Sequence, residues 1–256
     1  MKGIKLYHTP CTELQNAIEY IWYQEKEEAC QALILPSLHS EIIFNLGSSY
    51  KLMSTGGKKF NYLPEGNING INSCPTFKIW KHQHRSLGIR FKPWGLHQLF
   101  GWNAMAFYSD INLMTNFFKD LTFTQELPLP GNRPEDKFSI IEAFLLQYAC
   151  FKPLPEDLFH FKEDMTEAGS IKKYLTEKKK SHNAFSTRFK KVMGISPKQY
   201  LIIDGINKSI EDIRSHPEKS LTEITYQNSF YDQAHFIKIF TQYTGMSPLQ
   251  FKKANI

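Results

Sequence analysis

Twelve residues near the C-terminus occur twice: FKKVMGISPKQY, from Phe189 to Tyr200, and FTQYTGMSPLQF, from Phe240 to Phe251, with every matched position 51 residues later. The shared pattern Phe-x4-Gly-apolar-Ser-Pro-x-Gln-aromatic fixes a helix-ending glycine, a helix-starting Ser-Pro and three apolar anchors at equal offsets. A repeat of that kind requires two copies of one small helical unit.

Helical periodicity surrounds both copies. In the first, Ile171, Tyr174 and Leu175 form one face of SIKKYLTEKKK. Ser181 stands as an N-cap before HNAFSTRFKKVM, whose Phe185, Phe189, Val192 and Met193 recur at core spacing up to Gly194. In the second, Leu221, Ile224 and Thr225 face inward, a tight turn passes Asn228 and Ser229, and Asp232 caps a helix with Phe236, Phe240 and Tyr243 inward and Gly245 at its end. Between the copies Ser196-Pro197 opens a longer helix with Tyr200, Ile203, Ile206, Ile210 and Ile213 along one side. The expected plan is two helix-turn-helix units joined by a linker helix.

Charge follows the repeat. Residues 1–163 hold sixteen Lys and Arg against sixteen Asp and Glu, whereas residues 164–256 hold fifteen against nine and so carry the whole net charge of +6. Excess positive charge confined to one domain suits a polyanionic partner, double-stranded DNA first. If the core stripe of each second helix is buried, the opposite stripe can enter a major groove. In the first unit that stripe is Asn183, Ser186, Thr187 and Lys190; in the second it is Ala234, Ile237, Lys238 and Thr241, with Gln233 beside the N-terminus. Asn and Gln pair with adenine, Lys with guanine or phosphate, and Thr, Ala and Ile with the thymine methyl. Backbone N–H groups beside the caps Ser181 and Asp232 suit phosphates, with His182, Arg188, Lys191 and His235 adding charge or donors.

The first half reads differently. LILPSLHSEIIFNLG and the stretch from Tyr50 to Pro93 alternate short β-branched or aromatic runs with Gly, Asn, Pro and Ser clusters, predicting about six to eight strands of a barrel or sandwich. Helices are expected near Asn16–Glu25 and over Glu135–Phe151. The fold class is therefore α+β with two domains: a β-rich domain over 1–152, a proline-stiffened linker over 153–164, and an all-α domain over 165–256. No run of apolar residues is long enough for a membrane span and no signal-peptide core is present, so a cytoplasmic protein without a membrane partner is expected. Cys11, Cys30, Cys74 and Cys150 show no paired spacing and read as reduced, mostly buried thiols.

With these residues in place, the chain from about 168 to 254 resembles the paired helix-turn-helix domain of the AraC family of bacterial transcription regulators. The match is densest in SFYDQAHFIKIFTQYTGMSPLQFKK, similar to the family's second-unit signature. The resemblance implies two recognition helices in successive major-groove faces, promoter DNA and RNA polymerase as partners, and a monomer or homodimer. PSLHSEIIFNLG, SLGIRFKPWGLHQLFG and INLMTNFFKDL look like the cupin-like sensor domain found ahead of such domains, which implies a small-molecule effector or a dimer contact. The first copy departs from the family pattern at Tyr174, Leu175 and Lys178-Lys179-Lys180, and the second at Ser229. Lys178, Lys179 and Lys180 are read as a phosphate grip in place of strong base reading by the first unit.

Catalytic patterns are missing: no G-x-S-x-G, P-loop, H-E-x-x-H or G-x-G-x-x-G occurs, and no cofactor is expected. His82-x-His84 with His39 or His97 is the one metal-like grouping, but flanking cations and the missing acidic ligand argue for a polar strand and no metal. Arg90, alternating with Ile89 and Phe91, reads as an exposed strand arginine. Two alternatives stay open: a metal-dependent cupin-type enzyme with a helical appendage, and a protein-interaction module.

Overall fold

A computed structural model describes residues 4–48, 50–54, 59–61, 66–80, 84–108, 111–118 and 133–254. The chain is an α+β protein whose N-terminal part holds two antiparallel sheets and whose C-terminal part is helical. The strands are β1 (Ile4–Tyr7), β2 (Ile18–Lys26), β3 (Cys30–Ile34), β4 (Ser40–Asn45), β5 (Tyr50–Ser54), β6 (Lys59–Asn61), β7 (Asn67–Asn69), β8 (Thr76–Trp80), β9 (His84–Phe91) and β10 (Ile111–Leu113). One sheet runs β1-β2-β9-β4-β7-β10 and the other β3-β8-β5-β6. Seven described strands, β3 to β9, fall in the stretches where six to eight were expected, and β1, β2 and β10 lie outside those stretches.

The helix expected near Asn16–Glu25 is instead β2. Ile18 and Ile21, three apart as on a helix, do both enter the core, but a register irregularity between Ile18 and Tyr20 brings them to one face of a strand. A bulge adds one residue to the strand and so imitates helical spacing. The β-branched and aromatic run IEYIWY then pairs with β9, Ile21 opposite Ile89.

The N-terminal core lies behind the six-stranded sheet. Ile21, Ile42, Phe44, Ile68, Leu87, Ile89 and Phe91 pack against α1 (Thr12–Gln15), α2 (Gly95–Phe100) and α3 (Pro134–Tyr148), the last through Phe138, Ile141, Phe144 and Leu145. Tyr7 stacks on Phe138 with ring centroids 4.9 Å apart and donates to Glu142 Oε2 at 3.2 Å, fixing α3 across the sheet. Alternation puts Glu41, Asn67, Ser86 and Arg90 on the other face, toward the four-stranded sheet. There Tyr50 Oη donates to Asn67 Oδ1 at 2.7 Å, linking the sheets. Arg90 is therefore half-buried and not an exposed strand residue: Tyr20 Oη lies 2.5 Å from it and Glu19 3.4 Å away.

The expected linker carries helices α4 (Glu156–Phe159) and α5 (Phe161–Ala168), and Leu158, Phe161, Met165 and Ala168 are part of the helical core. Helices α6 (Ile171–Glu177), α7 (His182–Met193), α8 (Pro197–Ser215), α9 (Leu221–Gln227), α10 (Gln233–Thr244) and α11 (Pro248–Ala254) follow the duplicated plan. Phe189 meets Tyr200 at 5.7 Å and, 51 residues on, Phe240 meets Phe251 at 5.5 Å, all four rings buried. Each such burial contributes about 1.5–3 kcal/mol. Gly194 and Gly245 end α7 and α10 with φ of 81° and 80°, the left-handed turn that a β-carbon disfavours.

The cysteines are free, but Cys30, Cys74 and Cys150 are exposed and Cys11 is partly so, which corrects the expectation of buried thiols. No helix among the described residues is long and apolar enough to cross a membrane.

Candidate nucleic-acid interface

Each second helix of the pair is twelve residues long and buries one stripe. In α7 that stripe is Phe185, Phe189, Val192 and Met193; in α10 it is Phe236, Phe240, Tyr243 and Thr244. Burying these stripes turns the opposite faces outward. Ser181, His182, Asn183, Thr187 and Lys191 are exposed, with Ser186 and Lys190 half-buried. On α10 Gln233, Ala234, His235, Ile237, Lys238 and Thr241 are exposed and Asp232 is half-buried. The helix pairs therefore display every outward residue that the sequence pattern selects.

The two N-termini differ. Asp232 Oδ1 accepts the His235 N–H at 2.7 Å, so the second helix is capped by its own acid. Ser181 is the N-cap of α7 without a side-chain cap hydrogen bond, leaving its first-turn N–H groups open. Lys179 sits in the turn before it at φ 51°. Among the described residues, Lys179, Lys190, Lys191 and Lys238 make no ion pair.

Lys178 and Lys180 are placed otherwise. Lys178 Nζ lies 3.0 Å from Asp164 Oδ2, and Lys180 Nζ donates to Asp157 Oδ2. Arg188, on α7, donates to the same Asp157 oxygen. Periodicity did not reveal these partners: the acids lie on α4 and α5, and the only sequence signal was an acidic EDLFHFKED ahead of a basic run.

A joint with the N-terminal domain also escaped the sequence reading. Ser196 Oγ accepts the Gln199 N–H at 3.2 Å, and Gln199 Oε1 accepts the Ser196 N–H at 3.0 Å, a reciprocal cap that starts α8. Gln199 Nε2 then donates to Tyr108 Oη at 3.1 Å, and Tyr108 Oη donates to Ser73 Oγ at 2.8 Å. Beside it a 3₁₀ turn at Ala104–Phe107 packs on the end of α7: a β-carbon on Gly194 would lie 2.9 Å from the Ala104 carbonyl oxygen. Leu38 and Ile71 of the N-terminal domain join the helical core. Burial, with Tyr108 and Cys74 nearby, holds the Tyr243 phenol of α10 above its ordinary range.

The second unit is held to α8 by a polar tie. Buried Asn228 Nδ2 donates to Asp212 Oδ2 at 2.8 Å and to the Ile224 carbonyl at 2.9 Å, while Lys219 Nζ lies 2.7 Å from Asp212 Oδ1. Hydrogen bonds from Lys219 and Asn228 hold the Asp212 carboxyl below its usual range.

The histidines weighed as metal ligands are dispersed in other roles. His84 is buried, its ring 5.1 Å from Tyr50 and 5.5 Å from Trp80; His39 Nδ1 lies 3.2 Å from Glu19 Oε2; His97 Nδ1 lies 2.8 Å from the Trp102 carbonyl. His82 lies outside the described residues. Among those described, no three His, Cys, Asp or Glu residues are grouped to hold a metal ion.

Comparison with known proteins agrees with this arrangement. Residues 176–254 match a family described as a helix-turn-helix domain, and residues 7–111 match a domain of unknown function (DUF6597). YdeC of Bacillus subtilis (strain 168), described as an uncharacterized HTH-type transcriptional regulator, is 32% identical over 93 residues, which are 36% of this chain and 28% of the relative. The chain thus spans under a third of that relative's length. Among solved structures, ToxT from Vibrio cholerae is 12% identical over 98% of both chains at a TM-score of 0.49. Ectoine synthase from P. lautus is 13% identical over 36% of this chain and 65% of its own, at 0.28. Residues 176–254 thus match a helix-turn-helix domain, set behind a match to a domain of unknown function at residues 7–111.

Proposed function

We propose that the chain is a sequence-specific DNA-binding transcription regulator in which α7 and α10 are the two reading helices. The observation that carries this is their equivalence: two helices of equal length, buried by corresponding stripes, turn unlike exposed faces outward. Asn183, Ser186, Thr187 and Lys190 read one half-site and Gln233, Ala234, Ile237, Lys238 and Thr241 another, with Ser181, His182, Lys179, Lys191, Asp232 and His235 setting the backbone register. The N-terminal domain sets activity through its contact with the end of α7 and the start of α8. A small-molecule effector and RNA polymerase are the further partners this reading calls for. Selection of bound duplexes from a random pool, repeated at two salt concentrations, tests it. An asymmetric enriched site with strongly salt-dependent affinity is expected; recovery of no preferred sequence would refute it.

A further inference from the structure

Three cations at the first reading helix are engaged by two acids. Asp157 Oδ2 accepts from both Lys180 Nζ and Arg188 Nη2, and the Asp157 carbonyl accepts Tyr174 Oη at 3.0 Å, which holds the acid's backbone in place. The Asp157 side chain is only 10% exposed, against 32% and 42% for its two partners, so the carboxylate sits beneath the cations. Lys178 is held in parallel by Asp164 at 3.0 Å. Lys180 and Arg188 also line a groove with Ser181, Ala184 and Phe185 beside the start of α7. A phosphate entering that groove meets cations that already have a counter-charge, and an acid behind them.

Resting on the DNA-binding reading above, we propose that Asp157 and Asp164 set the affinity and salt response of the first unit: they withdraw Lys178, Lys180 and Arg188 from the phosphate backbone and so limit its sequence-independent grip. Each cation neutralising a phosphate contributes about 0.9 to the slope of log affinity against log salt. With these three withdrawn, the first unit contributes to affinity through its exposed bases-facing stripe and through Lys179 and Lys191. Because a phosphate contact is indifferent to sequence, the withdrawal lowers binding to right and wrong sites alike and flattens the salt response.

The test compares the full chain with the Asp157→Asn, Asp164→Asn double variant on a random-sequence duplex across a salt series, with the melting temperature of each recorded. The double variant is expected to bind at least tenfold more tightly at low salt, with a slope steeper by about 2 to 3. An unchanged slope in a folded double variant overturns the proposal. Arg188→Gln, made in wild type and in Asp157→Asn, supplies a second readout: it should take about 0.9 off the slope in the Asn background and less in wild type. Equal effects in the two backgrounds overturn the proposal, and the single Asp variants decide the matter by the same slopes if the double variant does not fold. Failure of wild type to bind any duplex at any salt would instead sink the DNA-binding reading itself.

Discussion

Gln199 and Tyr108, 91 positions apart, meet at 3.1 Å, and the amide that closes the cap of α8 is the one that takes hold of the N-terminal domain. The duplicated Gln250 makes the same cap, with Oε1 accepting the Ser247 N–H at 2.9 Å, and its described bonds stay within that turn. Gln199→Ala should therefore destabilise by about 1 kcal/mol more than Gln250→Ala, the worth of one extra hydrogen bond. Urea denaturation of the two variants measures the difference, and equal losses would show that the Tyr108 contact contributes nothing.

The paired glycines allow a similar comparison. Alanine at either Gly194 or Gly245 costs about 1–2 kcal/mol for a left-handed backbone. At Gly194 the added carbon would also press on the Ala104 carbonyl, 2.9 Å away. Gly194→Ala should be the more destabilising by at least 1 kcal/mol, seen as a larger drop in melting temperature.

Base reading has its own prediction. Lys238→Ala and Asn183→Ala should each cost about 1–3 kcal/mol at one base-pair position and leave binding to random duplex nearly unchanged. Competition with singly substituted operators maps the position; a uniform loss over all sequences would reassign the residue to phosphate.

His84 makes stability depend on acid. Burial, then the nearby Lys78 charge, lowers its imidazole to about 4, with the Ser48 carbonyl opposing. Lys78, itself pushed down to about 8 by burial with Glu41 opposing, and the rings of Tyr50 and Trp80 are the groups that face it. Between pH 6.5 and about 4 the unfolded chain binds a proton that the folded imidazole refuses, so stability falls as pH drops through that window. The loss is on the order of 2 kcal/mol. His84→Gln should flatten this part of the stability profile, and a profile unchanged by the substitution would place the titration elsewhere.

The helical half was legible because its determinants are local. Stripes at three and four residues, Ser-Pro starts and glycine stops lie within a turn or two of the backbone they govern, and Phe185 through Ile213 are buried as their spacing requires. The β-rich half was legible in kind and less so in detail, since a bulge at Ile18–Tyr20 gave a strand the spacing of a helix. Outward residues of α7 and α10 could be chosen from periodicity alone. What periodicity could not show was which cations already had partners: Asp157 reaches Arg188 across 31 residues, and only the packed fold brings them together.

The joint at Tyr108 has a further consequence. Two copies of one unit are nearly interchangeable, and a duplex presents similar grooves in both directions. A domain bonded to the turn after the first copy breaks that equivalence, giving the molecule a leading and a trailing end. Inverting its binding site would then carry the N-terminal domain to the opposite flank, so anything that must touch that domain would respond to site orientation as well as to site sequence.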